Sequence, residues 1–370
     1  MKSYPVITNR KIRVAIVGCG RISKNHFGSL EKHQDNIELI AICEAQQTVL
    51  SEHEKKYNIK GYLELANMLE NEDLDLVVIC TPSGMHAEQT ELCATHGVNV
   101  MTEKPMATLW SDGVKMVKAC DKAGVRLFVV KQNRKNATLQ LLKRAIKENR
   151  FGKIHMVHLN VFWTRPQEYY DQAPWRGTWE FDGGALMNQA SHYVDLLDWL
   201  IGPIDKVQAM MSTTRDIEVE DTATATIEFQ SGITGSLEIT TAARPIDFEA
   251  SLSLVCEKGL AQIGGIAVNE LQVYTPDPDA CTKNSEDFSG NVYGHGHVKI
   301  YEEIVATLRE RKKYSVTFDD AFATIQLLNA FYLADENQSW VDVSSSGDSI
   351  RLGKLDNDLA NLYRTHPQIN

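Results

Sequence analysis

The chain reads as a doubly wound parallel α/β domain followed by an α+β domain on an open, largely antiparallel sheet. Three observations carry that reading. The β-branched run Arg13-Val14-Ala15-Ile16-Val17 enters Gly18-Cys19-Gly20-Arg21-Ile22-Ser23 without a break, a strand–turn–helix junction. Apolar runs of strand length alternate with helix-length segments as far as Asn133, the rhythm of parallel strands joined by crossover helices. Farther on the rhythm changes to strands of period two, such as Thr222 to Phe229, which suit a half-covered antiparallel sheet.

In the first unit, residues 1–133, the glycine turn suits a dinucleotide pyrophosphate. Gly18 allows the tight turn, and Gly20 removes a Cβ so that the N–H groups of Arg21 and Ile22 can approach phosphates at a helix N-terminus. Ser23 replaces the usual third glycine with a residue still small enough for helix–strand packing. These features predict a Rossmann domain. Ile37 to Glu44 reads as a second strand ending in an acid, 24 residues after Gly20. A carboxylate there accepts hydrogen bonds from adenosine ribose hydroxyls and repels a 2′-phosphate, favouring NAD over NADP; a solvated strand end is the alternative. Leu74 to Cys80 is a further strand, and Thr81-Pro82-Ser83-Gly84-Met85-His86 opens the next helix at the carboxyl edge of the sheet, where ligands bind. Val98 to Met101 leads into the Glu103-Lys104-Pro105 turn. A helix from Ser111 to Ala123 stops at Gly124, Val125 to Val130 is the last strand, and Asn136 is placed to cap a helix reaching Asn149.

The second unit, residues 134–345, begins with a strand from Ile154 to Trp163 and a loop of about 20 residues rich in aromatics and arginine. A helix from Ala185 to Ile201 follows, stopped by Gly202-Pro203. Strands are expected at Thr222–Phe229, Thr234–Thr241, Phe248–Cys256, Leu260–Ile263 and Val268–Tyr274, forming a sheet with one face covered and the other free for a partner subunit. Helices from Val298 to Arg311 and Asp320 to Ala334 complete it. In the tail, residues 346–370, Leu352, Leu355, Leu359 and Leu362 stand at helical spacing.

A formal net charge of −11 argues against a nucleic-acid or anionic-membrane surface, so an anionic substrate needs a local cluster of Arg, Lys or His. Seven cysteines without a C-x-x-C pair suggest reduced, packed thiols in a cytoplasm. The N-terminal apolar run is one strand long, so neither signal peptide nor membrane span is expected there.

Lys104 lies in a turn at the carboxyl end of a strand, held by Pro105 and facing where a nicotinamide would sit. Desolvation there lowers a lysine pKa from about 10.4, so that it can share a proton with a substrate hydroxyl. A salt bridge to Glu103 is the plainer alternative. Asn188, His192 and Asp195, at i, i+4 and i+7, share one helix face. His192 can take the hydroxyl proton, Asn188 can orient a hydroxyl or the imidazole, and Asp195 can fix the tautomer; a packed core histidine is the competing reading. Arg165 and Tyr169 in the aromatic loop, and Tyr293 and His297 in Asn291-Val292-Tyr293-Gly294-His295-Gly296-His297, are candidate anion binders. The pairs His295/His297 and His155/His158 lack further ligands, and the second points to opposite faces of a strand, so no metal is expected.

With these residues assembled, the chain resembles the glucose–fructose oxidoreductase/inositol dehydrogenase (Gfo/Idh/MocA) family of sugar dehydrogenases. The matching features are Gly18-Cys19-Gly20, Thr81-Pro82 to His86, Glu103-Lys104-Pro105, Trp175-Arg176, Gly183-Gly184 and His192, in family order over roughly residues 11–345. Many relatives carry an aspartate where this chain has Asn188, which leaves proton transfer to His192 and Lys104. Met101 to Ala107, Val129 to Arg134, Val161 to Tyr170, Phe181 to Gly184 and Asn188 to Ile201 resemble the bacterial UDP-N-acetyl-2-amino-2-deoxyglucuronate 3-dehydrogenases of O-antigen synthesis. That resemblance implies NAD-dependent oxidation of a sugar C3 hydroxyl, with a dehydrogenase or ketoreductase of another sugar or polyol as the alternative, and a homotetramer assembled through the second sheet. It also implies cofactor contacts from Arg21, Ile22, Thr81, Pro82, Ser83, His86, Glu103, Lys104, Trp175 and Arg176. Substrate contacts are implied for Lys104, Arg165, Tyr169, Asn188, His192, Tyr293 and His297. A non-catalytic NAD-binding protein of this fold is expected to lose the lysine or the histidine, and this chain carries both.

Overall fold

The computed structural model describes residues 4–289 and 292–359. Six parallel strands, β1 (Ile12–Val17), β2 (Ile37–Cys43), β3 (Lys60–Tyr62), β4 (Leu76–Ile79), β5 (Asn99–Thr102) and β6 (Leu127–Val129), lie in the order β3-β2-β1-β4-β5-β6. Helices α1 (Ser23–Lys32), α2 (Gln47–Tyr57), α3 (Leu65–Asn71), α4 (His86–Thr95) and α5 (Trp110–Ala123) connect them. β4, β6 and, beyond Arg13, β1 read as continuous apolar runs because helices cover both sheet faces. Strand order reverses between β1 and β4, so the loops after β1, β4 and β5 open at one carboxyl edge, where α/β sheets bind ligands. Gly124 ends α5 in a left-handed conformation, as expected from sequence.

After α6 (Ala137–Lys147) comes an eight-stranded sheet, built from β7 (Ile154–Phe162), β8 (Ile204–Ser212), β9 (Thr222–Phe229), β10 (Thr234–Thr240), β11 (Glu249–Cys256), β12 (Gly259–Gly264), β13 (Glu270–Tyr274) and β14 (Val341–Asp342). Its order is β13-β12-β11-β7-β10-β9-β8-β14, and only the β7–β10 pair is parallel. α7 (Gln167–Tyr170), α8 (Ser191–Ile201), α9 (Asp279–Asn284), α10 (Gly296–Glu310) and α11 (Phe318–Asn337) complete the described chain. α6, α8 and α11 bury one sheet face, against Leu159, Leu237 and Leu252. The other face presents Met156, Met210, Val255 and Leu260, 44–68 % exposed. The strand alternation expected from sequence is therefore present.

Four local expectations are corrected. The expected helix Ala185–Ile201 is a π-helical turn, Ala185–Gln189, followed by α8. Glu220 causes this: its carbonyl accepts from Ala185 N and its carboxylate from Leu186 N, pinning the first turn (3.0 and 2.9 Å). Asn136 stands at the N-cap of α6, but its amide donates to Ala267 O, and the Glu286 carboxylate accepts from Ala137 N instead. The tail leucines do not form one helix: Leu352 is buried, Leu355 exposed, and Gly353 (φ +69°) lies between them. Leu362 and Asn291 fall outside the described residues. Finally α10, numbered within the second unit, buries Ile300, Tyr301, Ile304 and Leu308 against Ile12, Val14 and Phe128 of the first sheet. Apolar side chains at i, i+1, i+4 and i+8 give it a face that the first sheet covers.

Candidate active site

Gly18 follows β1 at φ +86°, and a Cβ there would sit 2.9 Å from the backbone of Cys80 and Thr81. Only glycine fits. At Gly20 a Cβ would meet nothing within 4 Å, so the outer side of the turn is open to a ligand while its inner side is packed. Glu44, one residue beyond β2, accepts from Cys19 N (2.8 Å) and Gln46 N (3.0 Å), so its carboxylate grips the turn from the position expected for ribose recognition. These three features fit a dinucleotide. Ser83 is buried, and Thr81 and Pro82 are half-buried beside it. His86 is 1 % exposed and both ring nitrogens lie 2.9 Å from carbonyls, Pro105 O and Thr81 O. It ties the β4 loop to the β5 loop and presents no ring nitrogen to a ligand.

A cleft opens beside the turn, lined by Arg21, Lys104, Arg165, Tyr169, Asn188, His192 and Tyr293. The lysine of the first sheet and the histidine of α8 thus face one space. Lys104 Nζ donates to Asn188 O (2.8 Å) and Asn188 Oδ1 (3.3 Å). Burial lowers its pKa, helped by Arg165 and Lys131 and opposed by Glu103 and Asp182. Burial also holds the His192 imidazole well below its ordinary value, and Lys104 adds to this. His192 Nε2 has no hydrogen-bond partner among the described residues.

Glu103 does not pair with the Lys104 ammonium, as the plainer sequence alternative had it. It is buried under the turn, accepts from Lys104 N (3.0 Å), and lies 2.9 Å from His26 Nε2 and 3.1 Å from His297 Nε2. Burial alone would raise the Glu103 carboxyl; hydrogen bonds from the two histidines outweigh it and hold the group well below the carboxylate range. His297 is therefore corrected from a substrate contact to a buried support, because α10 packs inward on the first sheet. His26, Glu103 and His297 offer ligand atoms within 4.8 Å of one another. Both imidazoles reach the same carboxylate oxygen at ordinary hydrogen-bond length, and Tyr301 Oη lies 3.0 Å from His26 Nδ1, so protons account for the contacts without an ion.

Asp195 is likewise corrected. Its carboxylate receives Arg134 Nε and Nη2 (both 2.8 Å), Thr324 Oγ1 (2.9 Å) and Lys131 Nζ (3.2 Å), and these hold it below its usual range against its burial. It anchors α8 to α11, and its partners among the described residues do not include His192. Arg165 Nη1 donates to Asp247 (3.0 Å), with its guanidinium 5.2 Å from the Trp163 ring and 5.5 Å from Tyr169. Arg176 stacks 4.2 Å from Tyr169 and 4.7 Å from Trp175, one layer behind the cleft lining. The Arg21 guanidinium lies 5.7 Å from the Tyr293 ring.

The sequence reading missed Asn133, Trp163 and Tyr193 on the lining, and Asp182 behind it. An acid directly before Gly183-Gly184 was the available signal for Asp182. It also missed Glu220, whose burial pushes the carboxyl up to about 7, from an ordinary 4.5. A raised acid contributes stability that is complete below about pH 4.5 and lost as pH rises through about 7. Glu220→Gln cannot ionise, so its Tm should gain on wild type from about pH 5 to about 7 and then run parallel. A constant Tm difference across that range would refute the assignment.

The chain matches two family models: the oxidoreductase family with NAD-binding Rossmann fold (GFO/IDH/MocA) over residues 12–131, and the GFO/IDH/MocA C-terminal domain over residues 139–262. It belongs to the GFO/IDH/MocA family. As a member it is an NAD-dependent oxidoreductase, in line with the glycine turn and Glu44. Among solved structures, it is similar to the WlbA dehydrogenase from Chromobacterium violaceum in complex with NADH and UDP-GlcNAcA. The two are 49 % identical, with 92 % of this chain and 99 % of that one covered and a TM-score of 0.86. The Bordetella pertussis WlbA dehydrogenase, with the same two ligands, is 46 % identical over 91 % and 99 %, TM-score 0.87. The D-apiose dehydrogenase of Paraburkholderia graminis is 29 % identical over 249 residues; the match spans 65 % of this chain and 64 % of that enzyme.

Proposed function

We propose that this GFO/IDH/MocA enzyme oxidises the C3 hydroxyl of UDP-N-acetyl-2-amino-2-deoxyglucuronate (UDP-GlcNAcA) to a ketone, with NAD as the acceptor. The observation that carries the reading is the convergence of Lys104 and His192 on one cleft flanked by Arg165. WlbA structures at 46–49 % identity holding NADH and UDP-GlcNAcA support the choice of sugar nucleotide. Residues 1–133 would hold the cofactor, through the Gly18–Ile22 turn, Glu44 and Thr81–Ser83, and residues 134–345 most of the sugar nucleotide. The same reading places the enzyme in the cytoplasm, in lipopolysaccharide O-antigen biosynthesis, as a tetramer joined through the second sheet.

NAD, when bound, supplies the acceptor for the hydride that leaves C3. The hydroxyl proton then falls to the protein. A neutral lysine has two N–H bonds and one lone pair. Asn188 O and Oδ1 take both N–H bonds of Lys104, leaving the lone pair to face the cleft and accept the hydroxyl proton. A pKa lowered by burial suits the base, whose ideal value lies near working pH. His192, held neutral, orients the substrate oxygen through Nε2. Arg165 and Tyr293 offer a guanidinium and a phenol to the diphosphate or the carboxylate.

The test is NADH formation, followed by absorbance, with the protein, NAD and a panel of UDP-sugars, free sugars and inositol. Turnover confined to UDP-GlcNAcA is expected; turnover of a free sugar or inositol in its place would overturn the substrate. His192→Asn should lower kcat about tenfold or more with a smaller change in KM. A change confined to KM would reassign His192 to binding.

A further inference from the structure

We infer that Asp182 is a positioning residue that sets the direction of the Asn188 amide and, through it, the aim of the Lys104 lone pair. The inference rests on the reading of Lys104 as the base. Asp182 is 1 % exposed and does not line the cleft. One of its carboxylate oxygens accepts from Gly177 N at 2.7 Å, and the other accepts from Asn188 Nδ2. An amide has an accepting end and a donating end, and nothing in its shape distinguishes them. Here a carboxylate stands at one end and the Lys104 amine at the other. The carboxylate takes the NH2, so Oδ1 must turn to Lys104. Reversed, the amide would set oxygen against carboxylate, a mismatched contact in a buried site, and its NH2 would occupy the lone pair that Lys104 needs for the substrate proton.

The contact exists because of the wide turn before α8. Residues 182 and 188 are six apart, a spacing that brings side chains together only when chain folding intervenes. Gly183 turns the backbone at φ +70°, and Glu220 pins Ala185 and Leu186. The charged groups around this chain of contacts are Arg176 and Lys104 beside Asp182, and Glu103, Arg165 and Lys131 beside Lys104. Among the described residues, only Asp182 and Lys104 hydrogen-bond the Asn188 side-chain amide. Asp182 therefore selects the orientation that Lys104 meets.

A reciprocal exchange tests this. In Asp182→Asn the new amide must give its oxygen to Gly177 N and so presents NH2 to Asn188. Asn188 can then satisfy that donor only by turning its own NH2 on Lys104. In Asn188→Asp two buried carboxylates meet. The double variant Asp182→Asn/Asn188→Asp restores every pairing with polarity reversed. Its amide at position 182 accepts from Gly177 N and donates to the carboxylate at position 188, which also accepts from Lys104. Each single variant should lose about tenfold or more in kcat. The double variant should exceed both by about tenfold when each protein is compared at its own optimal pH, a strong positive coupling.

A second readout needs no substrate. The 13Cε resonance of Lys104, assigned by its absence in Lys104→Arg, reports the ionisation of that lysine in the ligand-free protein. Its midpoint should fall in Asp182→Asn, which removes a negative charge, and rise above wild type in the double variant, which moves the charge into contact. If no sugar is turned over, the proposed activity fails while this titration still decides the role of Asp182. The inference is overturned by midpoints that do not move in opposite directions, or by a double variant no better than the poorer single one. A double variant that fails to fold overturns it too, since every donor and acceptor should be satisfied.

Discussion

Lys104→Ala is expected to lower kcat/KM about 10²- to 10⁴-fold while leaving NADH binding nearly unchanged, because it removes the base and no part of the glycine turn. The pH profile makes the test specific. Below the Lys104 pKa the amine carries a proton and cannot accept another, so the wild-type rate should rise with pH through a midpoint below the ordinary 10.5. That limb should vanish in the alanine variant. Fluorescence titration with NADH gives the control, since Gly18, Gly20 and Glu44 are untouched. A residual rate within about threefold of wild type, or an unaltered limb, would remove Lys104 from the mechanism. Burial is the dominant cause of the low pKa, and Glu103 opposes it. Glu103→Gln should therefore shift the limb to lower pH.

A large structural effect is expected at Gly184. A Cβ there would overlap the Oε2 and Cδ atoms of Glu220, well inside contact distance. The backbone is at φ −40°, so the constraint is space and not handedness. The carboxylate cannot simply swing away, because Leu186 N (2.9 Å) and Tyr332 Oη (2.8 Å) both hold it. Gly184→Ala should therefore cost about 1–3 kcal/mol, or more, from overpacking, read as a lowered Tm. Displacing Glu220 would also free the π turn that places Asn188, so kcat should fall with stability. In a Glu220→Ala background, which removes the obstructing carboxylate, the same glycine substitution should cost much less. Equal losses in both backgrounds would show that the carboxylate is not what the glycine avoids.

Much of this architecture follows from local pattern. Five of the six parallel strands, all but β3, hold an apolar run between helices, and the longer runs announce themselves without reference to anything distant. Gly18 is legible for a similar reason: a tight turn after a strand demands a residue free of Cβ. Short elements were not singled out from sequence. β3 has three residues and β14 two; the nine-residue β8, which alternates between buried and exposed positions around two methionines, was passed over as well. Their strand character comes from the neighbours that pair with them.

The site divides in the same manner. Lys104, Asn188 and His192 carry their chemistry in their residue type and neighbouring motifs, and the cleft unites them. His297 and Asp195 looked equally able, and packing directed both inward: one to Glu103, the other to Arg134 and Lys131. Regular helical spacing misled at Asp195, because a π turn precedes α8 and a distant cationic pair claims the carboxylate.

Residues within a few positions of one another were enough to specify the two sheets, the glycine turn and the side-chain types able to bind a dinucleotide and move a proton. Which of those side chains share a space was settled only by folding. Glu220 and His26 act on partners brought to them from elsewhere in the chain, Asp182 on an amide that the π turn brings round to it, and burial lowers the pKa values of Lys104 and His192. Hydrogen-bond direction and desolvation belong to neighbours in three dimensions, and no spacing along the chain encodes them.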